Sequence, residues 1–244
     1  MSRPFLVLGV LLLAGPALAQ AAPRSDSVVL LHGLGRGPWA MKLLEIRLAD
    51  AGYRVHNLDY PRRARSMDEM VAEVHREFGE CCSQDAGKVH FVTHSLGGLV
   101  LRAYLADHRP HNLGRVVMLA PPNGGSEIVD RFGGSGLFRV IFGPIAPQLG
   151  TGQDDLPARL PVPDCEVGVI AGDHWINPVG AVVLPPPHDG TVSVERTRLA
   201  GMRDHLVVPH THTFIMNSSQ VAREVIHFLR YGEFEGHGQE ERAG

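Results

Sequence analysis

The chain has 244 residues, 44% of them hydrophobic and 20% charged, which suits one sizeable core and excludes a disordered or low-complexity chain. Its net charge is -3 with histidines neutral, and no long run of Lys or Arg interrupts it, so it carries no electrostatic footprint for nucleic acid. Both point to a single globular domain over residues 20–244.

In chain order the first segment differs from all that follows. Arg3 precedes an apolar run from Phe5 to Leu13, Gly15 and Pro16 break it, and Ala17 and Ala19 put small residues where a signal peptidase reads. Residues 1–19 therefore read as a cleaved secretory signal, with an uncleaved N-terminal anchor as the alternative, and the mature protein is expected in the periplasm or the medium. The apolar core is shorter than a membrane-spanning helix needs.

From Ser27 onward short β-like runs alternate with helical patterns, the order of a mostly parallel sheet of about six strands with crossover helices on both faces, an α/β fold. Val28 to Leu31 is a continuous apolar run, as a doubly buried strand should be. Trp39 to Ala51 reads as a helix ended by Gly52, and Tyr53 to Leu58 as a second strand. The next helix is the clearest. Met67, Met70, Val71, Val74 and Phe78 share one face, and Ser66 with Glu69 forms a capping box before them.

Lys88 to Thr93 is the third strand, and a helix with Leu96, Leu99, Val100 and Ala103 on its buried face starts at or just after Ser95. Further strands are expected at Arg115 to Leu119, Glu166 to Ile170 and Leu206 to Val208. The last helix carries Val221, Val225, Phe228 and Leu229 and stops at Gly232. Two long irregular stretches interrupt the alternation, Pro121 to Pro163 and Asp173 to about His205. The first holds the apolar cluster Leu137, Phe138, Val140, Ile141 and Phe142, and residues 121–163 read as a small lid or an acyl-pocket insertion. Both stretches follow strands and so lie at the carboxyl edge, where parallel sheets bind ligands.

Three cysteines, Cys81, Cys82 and Cys165, allow at most one internal pair. Vicinal pairing needs a strained ring, so a bond from Cys165 to one of the other two is expected, with buried thiols as the alternative.

A serine raised on a sharp strand-to-helix turn is accessible, and the first N–H groups of the helix face a developing oxyanion. Ser95 stands in that place, between His94 and Leu96 and with Gly97 following, although Thr93 replaces the glycine expected two residues before it. His94 reads as a packing residue. Directly after the first strand, Gly33, Gly35 and Gly37 let the backbone turn its N–H groups toward a ligand, and the N–H groups of Leu34 and Leu96 would form an oxyanion hole. A phosphate cradle is the rival for these glycines, but no Lys-Ser or Lys-Thr follows them. Trp39 and Trp175 read as wall or core residues, with Trp39 near enough to line a pocket.

A base and an acid must then come from downstream. His205, His210 and His212 compete for the first role, Asp173 and Asp189 for the second. Serine, acid and histidine stand in the chain order of an α/β-hydrolase. Together, His32-Gly33, His94-Ser95-Leu96-Gly97, Ala120 to Ser126, Asp189-Gly190-Thr191-Val192 and the tail from His212 to Val221 resemble the minimal secreted lipases and esterases of the α/β-hydrolase fold. The resemblance spans almost the whole mature chain. It implies a Ser-His-Asp triad of Ser95, His212 and Asp189, preferred over His210 and Asp173, acting on a small-molecule ester or lipid through an acyl-enzyme. It implies no cofactor and no metal, and transient contact with a lipid surface. Two rivals keep the same fold: acyl transfer at the same site, and a binding protein without catalysis. A structural ion between His188, His205 and Asp189 or Asp204 is a further alternative, without tight ligand spacing to support it.

Overall fold

The computed structural model describes residues 26–82, 87–176 and 178–236, so the expected signal over 1–19 lies outside the described residues. Its centre is a six-stranded, wholly parallel sheet: β1 (Ser27–Leu31), β2 (Arg54–Asn57), β3 (Val89–His94), β4 (Leu113–Leu119), β5 (Val167–Gly172) and β6 (Asp204–Val208). The spatial order is β2-β1-β3-β4-β5-β6. The helices are α1 (Lys42–Asp50), α2 (Met67–Cys81), α3 (Leu96–Asp107), α4 (Glu127–Phe132), α5 (Gly136–Phe142), α6 (Leu156–Arg159), α7 (Pro178–Val183), α8 (Val194–Thr197) and α9 (Ser219–Tyr231). Among the described residues no helix is long and apolar enough to cross a membrane.

Strand periodicity divides the core in two. Val29, Leu31, Phe91, Val116, Met118 and Val169 point to the face covered by α2 and α3, whereas Val28, Leu30, Val92, Val117, Leu119 and Ile170 meet α1 and α9 on the other. Both faces are thus apolar, which is why the central strands lack alternation in sequence.

Capping fixes where the helices begin and end. Ser66 Oγ accepts the Glu69 N–H at 3.2 Å, while the Glu69 carboxylate accepts the N–H of Arg65 rather than that of Ser66. Ser218 caps α9 by accepting from Val221 N, and Gly232 ends it in the left-handed region at φ 83°.

The stretches read as irregular are partly helical. Residues 121–163 hold α4, α5, α6 and a 3-10 turn at Ala146–Gln148, and 173–203 hold α7 and α8. These helices have seven residues or fewer, too short for a periodic pattern to declare them.

Their anchor is Arg102, buried on α3. Its guanidinium donates to the carbonyls of Pro157, Leu160 and Pro161 and, at 3.4 Å, to Asn123, with no carboxylate partner among these contacts. Burial lowers its pKa to about 10.

The cysteine expectation is overturned. Cys81 and Cys82 are joined at the end of α2, and Cys165 is a half-buried thiol whose pKa burial raises to about 11. The reason is topological. The sulfurs of Cys81 and Cys82 lie within 4.8 Å of His56 on β2, while Cys165 precedes β5. Those strands are four positions apart, roughly 19 Å at about 4.8 Å per strand, far beyond disulfide reach.

Candidate active site

Four segments meet at the carboxyl edge of the sheet: the loop after β1, the β3–α3 turn, the loop after β5 and the loop after β6. Ser95 holds the turn, with φ 53° and ψ -124°, a region that side chains other than glycine rarely occupy. Its N–H is held by the Leu119 carbonyl at 2.9 Å. Two residues on, Gly97 has no alternative, because a Cβ there would sit 2.5 Å from the Leu31 carbonyl oxygen and 2.8 Å from that of His32.

Thr93, the departure from the usual glycine, is fully buried, and a Cβ on Gly98 would lie 3.4 Å from its Oγ1, in ordinary contact.

The structure brings together Ser95, His212 and Asp189. Ser95 Oγ lies 2.9 Å from His212 Nε2, and His212 Nδ1 lies 2.7 Å from Asp189 Oδ2. The second carboxylate oxygen of Asp189 accepts the N–H groups of Thr191 and Val192 at 2.9 and 2.8 Å. Asp189 is buried and also binds His212 through its backbone, the carbonyl accepting the His212 N–H at 3.1 Å. With the aspartate ionised, Nδ1 carries the proton and Nε2 is left to accept from the serine hydroxyl.

The other candidates are elsewhere. Asp173 pairs with the exposed His174 at 2.7 Å. His210 sits in the turn after β6, its N–H on the Val208 carbonyl and its Nε2 buried without a partner. His205 meets the Thr197 hydroxyl at 2.9 Å, and His188 accepts the Gly190 N–H. His188 and His205 therefore have separate local partners rather than a common ligand set.

Leu34 and Leu96 flank the serine in the same cavity. Leu96 opens α3, so its N–H has no intrahelical acceptor. Among the described residues the Leu34 N–H has no acceptor either. The loop is shaped by Gly35 at φ 65°, whose N–H reaches the Arg62 carbonyl at 3.2 Å.

Two residues do more than the sequence revealed. His94 is fully buried, with Nε2 3.0 Å from the His212 carbonyl and its ring centroid 5.0 Å from that of His212. Burial, reinforced by the His212 ring, holds its pKa well below the ordinary value, so it is a neutral donor that pins the His212 backbone. Ser126 donates from its hydroxyl to the Thr191 carbonyl at 2.7 Å and braces the Asp189 turn. Both stood in motifs that carry the resemblance, His94 in His94-Ser95-Leu96-Gly97 and Ser126 at the end of Ala120 to Ser126, but neither motif revealed these contacts.

A cavity of about 590 Å3 opens beside Ser95, within the usual size of ligand pockets. Its walls are chiefly apolar, with Val129, Leu137, Phe138, Ile141, Phe142 and Leu149 prominent, and Arg36 stands at its rim. Trp39 is not a wall: it is 61% exposed, with the Arg36 guanidinium 5.8 Å from its ring centre. Trp175 is likewise exposed, beside His188. Neither tryptophan belongs to the core.

A family model described as "Alpha/beta hydrolase family" matches residues 28–225. The chain is similar to the mature lipase BlEst2 of Bacillus licheniformis, with a TM-score of 0.67 and 21% identity over 83% of this chain and 91% of that one. It is also similar to phospholipase PlaB from Legionella pneumophila (TM-score 0.66, 14% identity, 90% of this chain and 61% of that one). A third likeness is to the metagenomic carboxyl esterase MGS0156 (TM-score 0.61, 16% identity, 81% and 69%). At these identities the likenesses establish the fold. No curated protein matches the chain.

Proposed function

The chain belongs to the alpha/beta hydrolase family, and from that premise we propose that it hydrolyses carboxylic esters through an acyl-enzyme on Ser95. The observation that carries the proposal is the continuous hydrogen-bonded path from Ser95 Oγ through His212 to the buried Asp189 carboxylate. His212 Nε2 takes the hydroxyl proton as Oγ bonds to the ester carbon, and the carbonyl electrons move onto oxygen. The N–H groups of Leu34 and Leu96 hold that oxyanion. Collapse breaks the bond to the alcohol oxygen, which leaves with the proton from His212, and water then repeats the two steps on the acyl group. Asp189 fixes the imidazole tautomer throughout, itself fixed by Thr191 and Val192.

The apolar cavity supports an acyl chain as the group bound beside the serine, with residues 121–163 forming its wall or lid. The structural neighbours, a lipase, a phospholipase and a carboxyl esterase, agree with that substrate class. Export through the segment 1–19 is part of the same proposal, and N-terminal sequencing of the mature protein checks it.

The test is labelling by a fluorophosphonate probe together with turnover of nitrophenyl esters of increasing chain length. Ser95→Ala should abolish both, and a variant that keeps full turnover would end the assignment. Charging the wall with Leu137→Asp and Ile141→Asp should depress long-chain esters more than short ones. Equal losses would count against an acyl site there.

A further inference from the structure

We propose that the mouth of the cavity is a docking face for an anionic lipid surface, in which an arginine cluster meets phosphate headgroups and α5 enters the apolar layer beneath them. Residues 61–65 carry three exposed arginines, Arg62, Arg63 and Arg65. This segment contacts the glycine loop and α5, both of which contribute other residues to the cavity wall. Its Arg62 carbonyl accepts the Gly35 N–H, and the Arg62 guanidinium packs so closely on Gly37 that a Cβ there would lie 2.8 Å away. On the other side Arg63 donates to the Val140 carbonyl of α5, and a Cβ on Gly143 would sit 3.5 Å from Arg63 Cα. Arg36 completes the set at the cavity rim, beside exposed Trp39.

The apolar half is α5. It buries none of its residues, and Leu137, Val140 and Ile141 are 68%, 67% and 57% exposed. Such a surface next to four cations is unusual for a chain whose net charge is -3, so attraction to an anion must be local. The nearby acids cancel it only in part. Glu73 is held by Arg76 at 2.6 Å, whereas Glu69, which accepts the backbone N–H of Arg65, and the exposed Asp59, beside a neutral His32, keep their charge and offset two of the four arginines. Among the described residues none of the four arginine side chains forms an ion pair.

Guanidinium groups match phosphate oxygens in geometry and charge, and basic residues flanking aliphatic and aromatic side chains are the composition of a surface that lies on a bilayer. A nucleic acid would meet the arginines but leave the α5 aliphatics in water. An anionic membrane satisfies both halves and presents acyl esters at the opening. That last step, delivery of substrate, rests on the esterase reading, whereas docking does not.

Ser95→Ala full-length protein, which cannot turn over lipid, should be sedimented with vesicles of phosphatidylcholine alone and of an equal mixture with phosphatidylglycerol. Binding should favour the mixture and fall steeply as salt rises. Each basic residue near such a surface is worth roughly a factor of five, so Arg62→Gln, Arg63→Gln and Arg65→Gln together should weaken it about 100-fold. The melting point of the triple variant reports whether it folds; if it does not, the salt and lipid-composition series on the Ser95→Ala protein carries the test. Equal binding to both vesicles, insensitivity to salt, or undiminished binding by a folded triple variant would each overturn the proposal. So would displacement by inorganic phosphate beyond that by chloride at equal ionic strength, which would indicate a discrete phosphate site. Vesicle binding without ester turnover in the wild type would instead remove only the esterase reading.

Discussion

At Ser95 the backbone is held in a conformation that costs of order 1–3 kcal/mol and persists only because its surroundings over-determine it. Gly97 is one of those surroundings. Gly97→Ala would drive a methyl group into the carbonyls of Leu31 and His32, neither of which can yield without moving β1 and the loop that carries Leu34. We expect a loss of about 1–3 kcal/mol in chemical denaturation, with a larger fall in kcat than in KM for any ester that the wild type turns over. Asp189→Asn makes a separate claim. The amide oxygen is claimed by the Thr191 and Val192 N–H groups, so the NH2 faces Nδ1 and donates to it, which fixes the wrong tautomer; kcat should fall by about three to four orders of magnitude while the fold is kept. A circular dichroism melt beside the kinetic measurement separates the two effects.

At the scale of elements, the short helices after β4 and β5 depend on side-chain anchors rather than on their own propensity, since helices of this length do not form alone. Arg102 is the clearest of these anchors because it serves carbonyls from both ends of the 121–163 insertion. Arg102→Met should leave buried acceptors unpaired at a cost of about 1–3 kcal/mol and let the insertion open. Limited proteolysis should then cut within 121–163 faster than in the wild type, whereas cutting at an unchanged rate would show that packing alone holds the segment. β1 to β6, α1, α2, α3 and α9 were legible in the sequence, because apolar runs, helical composition and 3.6-residue periodicity declare them. α4 to α8 were not, being too short to show a period. The disulfide also escaped local reading, because the choice between Cys82 and Cys165 as partner of Cys81 depends on sheet order.

For the molecule as a whole, histidines buried without charge at both ends of the sheet make stability depend on pH. Burial lowers the pKa of His32, His90, His94 and His188 below the ordinary value of 6.5. Below 6.5 the unfolded chain therefore binds more protons at these positions than the folded one. Their contribution to stability is complete above 6.5 and is lost progressively as pH falls through and beneath it. Melting temperatures by scanning calorimetry should decline from about pH 6.5 downward, before the carboxylates titrate. A flat profile between pH 7.5 and 5 would contradict this account.

The sequence by itself determined the parallel α/β layering, the serine at a strand-to-helix turn and the glycine loop opposite it, since each is written in neighbouring residues whose periodicity or lack of a side chain has one local meaning. Spacing alone left His210 and His212 both open as partners for Ser95, and Asp173 and Asp189 both open behind them, with His212 and Asp189 favoured by the resemblance. Only the tertiary structure shows which of them meet, because residues 95, 189 and 212 come together through the order β3-β4-β5-β6 and the turn after Val208 aims one imidazole at the serine. That meeting depends on the relative placement of distant segments, which no stretch of adjacent residues encodes.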